Sequence, residues 1–232
     1  MHDKPTNLPT NLPATQPGGE PLKVFTQMVV ERRATTNFLP DEVPEEILNA
    51  ILQLGAQAPS GYNLQPWRFI VVRGEENRAR LQTVAYNQPK VGQAPVVIIA
   101  LGMKDEWKET ADEVFREGAA RGAGSPDTVD QAKKGAIDFV SSMSQDMWVN
   151  RHTMIAFTTM MYAAEAYGFD TAPMEGFDAA GVKLEFNIPD EAEVVALLAI
   201  GRAQEPDKVY PGRFPLERIV FSERYGEAWE SK

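Results

Sequence analysis

The sequence predicts an α+β fold, a three-layer α-β-α arrangement around a mixed central sheet. Three features predict it: helical periodicities come first, the strand-like runs are separated by helices, and a long extension closes the chain. The 232 residues suit one substantial domain, and a hydrophobic share of 43% supplies a real core.

Residues 1–21 carry Pro5, Pro9, Pro13, Pro17 and Pro21, so nothing there nucleates a helix. The stretch reads either as a disordered tail or as an arm laid over a partner subunit, and the domain proper is expected over residues 22–232. Leu22, Phe25, Met28 and Val29 share one face of a first helix that runs into Arg32 and Arg33. Asp41 and Pro44 mark a second helix, whose buried stripe is Ile47, Leu48, Ile51 and Leu54. Trp67 to Val72 is a strand, and a short charged helix follows from Glu75 to about Ala85. The β-branched run from Pro95 to Leu101 suits a strand buried on both faces.

Lys104–Glu117 and Thr128–Val140 read as helices, with the glycine-rich stretch from Gly118 to Pro126 as a mobile loop between them. Met147 to Tyr167 is either the central helix of the domain or a subunit interface. Glu193 to Ile200 is the last core strand, and residues 201–232 are too polar to stand alone and must pack on something.

Composition closes off whole classes of function. The formal net charge of -10 disfavours nucleic acid and anionic membrane surfaces as partners. With no cysteine, disulfides, thiolate nucleophiles, iron–sulfur clusters and Cys-zinc sites are excluded. His2 and His152 are the only histidines, which excludes a multi-histidine metal site, and His152 in its apolar helix reads as structural. No signal-peptide core is visible, and the longest apolar run, Ala94 to Met103, is about half a membrane span, so a soluble cytoplasmic protein is expected. Redox chemistry without cysteine or metal points towards an organic cofactor. Gly118, Gly122 and Gly124 have the wrong spacing and context for a dinucleotide fingerprint.

Four segments concentrate polar chemistry. Arg32 and Arg33 leave a helix end, and Arg213 lies in the rigid turn Tyr210-Pro-Gly-Arg-Phe-Pro215; arginine forks of this kind match phosphate oxygens. Ala58-Pro-Ser-Gly-Tyr-Asn-Leu-Gln-Pro-Trp67 is either an ordinary helix-to-strand connection or a loop that hydrogen-bonds a polar planar ligand through Ser60, Asn63 and Gln65. Asn87 and Lys90 precede a buried strand. Gly168 to Asp178 leaves the long helix and presents Pro173, Met174, Glu175 and Gly176, with Asp178 near the N-cap of a new helix.

Taken in order, Glu31-Arg32-Arg33 through Phe38, Ala58 through Trp67, Asn87 with Lys90, Pro173 through Asp178, and Arg213 resemble the FMN-dependent nitroreductases, over nearly all the chain beyond residue 22. The resemblance implies an interlocked homodimer with two FMN molecules at its interface and the extension from about 201 to 232 wrapped around the partner. It implies that Arg32 and Arg213 bind the FMN phosphate, with Arg33, Ala34 and Thr36 nearby. Ser60 and Asn63, from the partner subunit, would line the isoalloxazine and ribityl chain, with Pro59, Gly61 and Gln65 in the same loop. Asn87 and Lys90 would meet the pyrimidine edge, and Glu175 and Gly176, after Pro173 and Met174, would present backbone N–H groups to flavin N5 and O4.

The implied activity is hydride transfer from NAD(P)H through flavin N5 to a small oxidised acceptor, nitroaromatic or quinone-like, with ping-pong kinetics and no catalytic side chain. Trp107, Phe115, Phe139, Met143 and Trp148 lie in the segment that the resemblance places as a roof over the flavin; ordinary core is the other reading. Two alternatives stand beside the main one: an FMN-binding protein without turnover, and a reductive dehalogenase-type branch of the same fold. Ala34, Thr36 and Pro211 depart from the family's usual hydroxyl, basic residue and lysine, which puts the affinity and potential of the flavin at issue.

Overall fold

The computed structural model describes residues 19–205 and 208–229, so the expectations for residues 1–18 lie outside the described part. Nine α-helices, one 3-10 helix (Gly61–Asn63) and four strands are found among the described residues. The strands are β1 (Trp67–Val72), β2 (Val96–Met103), β3 (Asp170–Met174) and β4 (Ala192–Gly201). They form one sheet in the order β1-β2-β4-β3, which puts the two most apolar runs at its centre.

Alternation along β2 sorts its side chains into two cores. Val97, Ile99 and Leu101 join Leu81, Val91, Val182 and Leu197 on one face. Val96, Ile98 and Ala100 join Ile51, Phe157, Met160 and Leu198 on the other. A strand has period two, so consecutive residues serve opposite faces, and a strand covered on both sides must be apolar throughout. The covering helices are α3 (Glu75–Val84), α4 (Pro89–Gln93) and α8 (Ala179–Glu185) on the first face. On the second lie α2 (Glu45–Ala56) and α7 (Gln145–Ala166). The three-layer α+β expectation therefore holds.

The sheet is simpler than a mixed one. All three pairings of named strands are antiparallel, and the parallel contact among the described residues is an isolated bridge between Ala34 and Thr171. The α3–α4 pair brings the chain back to the end of β1 where it left, so β2 starts beside Val72 and runs back along it.

The helix α7 buries Trp148, Val149, Thr153, Ala156, Phe157 and Met160, while Met147 and Ile155 remain exposed. Its packing on the sheet depends on a close approach at Gly102. A Cβ there would sit 2.7 Å from Val149 Cγ2 and 2.8 Å from Val149 Cβ. Valine is stiff at χ1, so the helix rather than the side chain must yield. Gly102→Ala is expected to cost about 1–3 kcal/mol in a denaturant melt; an unmoved midpoint would mean that α7 shifts freely on the sheet.

The helices α5 (Glu106–Ala120) and α6 (Val129–Ser141) stand apart on a small cluster of their own, Leu64, Trp107, Ala111, Val140, Trp148 and Val149. At the chain ends, α1 (Gly19–Glu31) has no fully buried residue, and its Phe25 is 52% exposed. Among its described residues the C-terminal segment carries the short α9 (Leu216–Ile219) and leaves Phe214, Leu216, Ile219 and Trp229 exposed. No helix among the described residues is long and apolar enough to cross a membrane.

Candidate functional site

Backbone strain marks two of the polar segments. Seven non-glycine residues have positive φ among the described residues, and five of them are Tyr62, Asn63, Gln65, Tyr86 and Asn87. Left-handed backbone costs a non-glycine residue about 1–2 kcal/mol, and it persists where the surroundings hold it.

In the first segment the holding contacts are visible. Ser60 Oγ accepts from Gln65 N at 2.9 Å, Asn63 N donates to Ser60 O at 3.0 Å, and Leu64 N donates to Gly61 O at 3.1 Å. Leu64 is buried under the loop as its anchor. The Ser60 hydroxyl thus shapes the loop through its oxygen and keeps its hydrogen to donate. Pro59 and Asn63 are exposed, and Gln65 is half-buried with its amide donating to Asn63 O at 3.1 Å. Gly61 faces α7, where a Cβ would meet His152 Nε2 at 3.3 Å. His152 is placed by its own helix: Nδ1 lies 2.7 Å from Trp148 O, and the ring packs 4.6 Å from that of Trp148. This agrees with a structural histidine.

The second strained turn meets the end of β3. Asp178 N donates to Val84 O at 2.8 Å, and Gln88 Nε2 donates to Gly176 O at 2.7 Å, so the turn between Asn87 and Lys90 is tied to Gly176 through Gln88. Met174, 4% exposed, points into the core and contributes only backbone; Pro173 is half-buried; Glu175 and Gly176 are exposed beyond the ladder. Lys90 is half-buried in the first turn of α4. Burial and the neighbouring charge of Lys208 hold its ammonium below the ordinary lysine range. Gln88 was not singled out by the sequence; its place between Asn87 and Lys90 was the available signal.

The third group is cationic and sits at the other end of β3. Thr35 N donates to Thr171 O at 3.0 Å, and Ala34 bridges Thr171, which pins the chain leaving α1 to this strand. Arg33 Nη1 donates to Val30 O at 2.6 Å and to Arg32 O at 2.9 Å, and its guanidinium carbon lies 4.6 Å from the Tyr210 ring centre. Arg213 lies 5.5 Å from the same ring centre. Arg32 differs from both: its Nη1 is buried without a hydrogen-bond partner. Thr36 is half-buried two residues beyond Ala34.

These groups do not all converge within one chain. β3 joins the arginines near Thr171 to the Lys90–Gly176 group at its far end, whereas the Ser60–Gln65 loop enters β1 on the opposite edge of the sheet. The suggested roof also divides. Trp107 and Trp148 are buried core and Phe115 is packed against it, while Phe139 and Met143 are exposed and Phe139 meets Tyr62 at 6.3 Å between ring centres.

The fit to FMN can be judged from these residues. A buried guanidinium nitrogen without a partner suits a phosphate oxygen. Among the described residues no carboxylate forms an ion pair with Arg32, Arg33, Arg213 or Lys90, although the chain has ten more acids than bases. The exposed backbone at Glu175 and Gly176 lets a flat ring approach. The residues fit the group.

The nitroreductase family model matches residues 29–202. The chain belongs to the nitroreductase family, a family of oxidoreductases. A Thermus thermophilus protein named NADH dehydrogenase is 33% identical over 192 residues, covering 82% of this chain and 92% of its own. MhqN of Bacillus subtilis, provisionally named an NAD(P)H nitroreductase, is 31% identical over 84% of this chain and 97% of its own. Among solved structures, the provisional nitroreductase YdfN of Bacillus subtilis superposes with a TM-score of 0.82 at 30% identity, over 87% of this chain and 99% of that one. A provisional nitroreductase of Exiguobacterium sibiricum, solved in complex with FMN, gives a TM-score of 0.78 at 25% identity, over 86% of this chain and 97% of that one.

Proposed function

We propose that this nitroreductase-family chain binds FMN and, as a homodimer, moves hydride from NAD(P)H to a small aromatic or quinone-like acceptor. The observation that carries the reading is the buried, unpartnered Nη1 of Arg32, in a chain of net charge -10 whose neighbouring Arg33 shares the Tyr210 ring with Arg213. Bound FMN supplies the hydride-accepting and hydride-donating chemistry. The protein's own residues bind, orient and tune. Arg32 and Arg213 take the phosphate, and Lys90 places its charge at the pyrimidine edge beside Asn87. Glu175 and Gly176 offer backbone N–H groups, and Ser60 donates its free hydroxyl hydrogen. Pro59, Gly61, Asn63 and Gln65 shape the loop that carries Ser60.

The opposite placement of that loop supports a site completed by a second copy. The exposed apolar residues of α1 and of the C-terminal segment support the same arrangement. The nicotinamide and the acceptor then use one slot in turn. Initial rates over a grid of both substrates are expected to give parallel double-reciprocal lines, and intersecting lines would contradict a shared slot.

Lys90 adds a pH signature. A bound anion restores the ammonium that burial and Lys208 disfavour, so FMN affinity should fall as pH rises through the lowered pKa of Lys90. The apoprotein should respond in the opposite sense. Its folded state holds that proton less tightly than the unfolded chain, so stability rises with pH between the lowered value and the ordinary lysine value. Lys90→Met is expected to abolish the alkaline fall in affinity. It should also lower the flavin midpoint potential by roughly 20–65 mV, the equivalent of about 1–3 kcal/mol for a two-electron couple. A variant with the wild-type potential and alkaline limb would place Lys90 away from the flavin.

A further inference from the structure

The segment from Val209 to Arg213 lies largely at the surface. Val209 is 88% exposed, and Lys208, Pro211 and Arg213 are exposed with it, while Tyr210 is half-buried among them. Gly212, at φ 86°, turns the chain through the left-handed region just before Arg213. The ring of Tyr210 is also the shared neighbour of two guanidinium groups, Arg33 at 4.6 Å and Arg213 at 5.5 Å from its centre.

The two arginines are not equivalent. Both hydrogens of Arg33 Nη1 are used on the carbonyls of Val30 and Arg32, where the C-terminal end of α1 favours a cation. Arg33 is therefore a fixed point. Among the described residues, Arg213 Nη1 donates to the adjacent Gly212 O, at 2.7 Å, a bond within its own segment. Two guanidinium groups repel each other, and an aromatic face near both offsets that repulsion while it orients them.

From this arrangement we infer that Tyr210 is a positioning residue: an aromatic post, seated on Arg33, that holds Arg213 beside Arg32 and so completes the grip on a terminal phosphomonoester. The inference rests on the phosphate reading of Arg32 and Arg213. It also gives Arg33 the role of anchor rather than ligand. The ligand feature that Tyr210 serves is the phosphate, so its contribution separates FMN from riboflavin, which shares the ring and the ribityl chain.

The test is titration of the full-length apoprotein with FMN and with riboflavin, read by quenching of flavin fluorescence. It compares wild type with Tyr210→Leu, Tyr210→Phe, Arg213→Ala, Arg32→Met and the Tyr210→Leu/Arg213→Ala pair, each checked for a melt no lower than that of wild type. Tyr210→Leu is expected to weaken FMN roughly three- to thirtyfold and leave riboflavin unchanged, whereas Tyr210→Phe keeps the wild-type affinity for both. The double variant should bind FMN no more weakly than Arg213→Ala alone, because the post acts through that arginine. Wild-type FMN affinity in Tyr210→Leu, alongside a loss in Arg213→Ala, would overturn the inference and leave the phosphate reading standing. Equal losses of FMN and riboflavin in Tyr210→Leu would also overturn it, by making the ring a general support. If Arg213→Ala and Arg32→Met both bind FMN normally, the phosphate reading falls and the inference falls with it.

Discussion

Arg32→Met is expected to weaken FMN binding by roughly ten- to a hundredfold while leaving the apoprotein at least as stable as wild type. Both signs follow from one atom. Nη1 of Arg32 is buried with no hydrogen-bond partner, and an unsatisfied buried polar group destabilises the fold by about 1–3 kcal/mol. Methionine keeps much of the aliphatic packing and removes that burden. The same nitrogen, met by a phosphate oxygen, gives a charge-assisted hydrogen bond worth about 1.5–3 kcal/mol, which the variant cannot form. Thermal melts with and without FMN separate the two effects: the ligand-induced rise in Tm should shrink while the ligand-free Tm holds or rises. A variant that loses stability but keeps its FMN-induced shift would make Arg32 a structural residue.

The second large effect concerns the α5–α6 pair. Trp107 is fully buried, packs 5.2 Å from Trp148 between ring centres, and donates Nε1 to Lys104 O at 2.8 Å and Gln145 Oε1 at 3.2 Å. Trp107→Ala should cost about 3–5 kcal/mol, from the cavity and the orphaned acceptors together. The loss should be local, because the cluster around Trp107 is separate from the two cores that clasp the sheet. Hydrogen exchange is expected to show lost protection over residues 106–141 and in the Ser60–Gln65 loop, with β2 and β4 still protected. Loss spread evenly over β2 and β4 would show that the pair is part of one cooperative core.

The contrast between these elements and the rest explains what could be read from the sequence. β1 matches its expected bounds, and β2, β4, α2, α3 and α7 fall within a few residues of theirs, because burial on one or two faces imposes a strict period. β3 was missed. Pro173 lies inside it, and a proline without an N–H reads as a break; the strand tolerates it because β3 is at the sheet edge. The expected loop from Gly118 was entered late, since α5 runs on through Gly118 to Ala120 despite that glycine.

The site divides along similar lines. Arg32 and Lys90 were legible as cations at element ends. The spatial facts were not. The sequence carries no sign that Arg33 binds helix carbonyls, that Gln88 reaches 88 residues along the chain to Gly176, or that Tyr210 stands between two arginines. Contacts between residues so far apart in the chain are set by how the elements pack, which local periodicity does not encode.

The central claim is that this chain binds FMN and takes hydride onto it from a reduced nicotinamide. The most direct measurement is anaerobic mixing of the FMN-loaded protein with NADH, and separately with NADPH, followed in the flavin absorption band. The account predicts that at least one of them bleaches the band stoichiometrically within a few seconds, and that a quinone added afterwards restores it. A protein that holds FMN tightly but keeps its oxidised spectrum with both nucleotides would contradict the account and make the chain an FMN-binding protein without turnover.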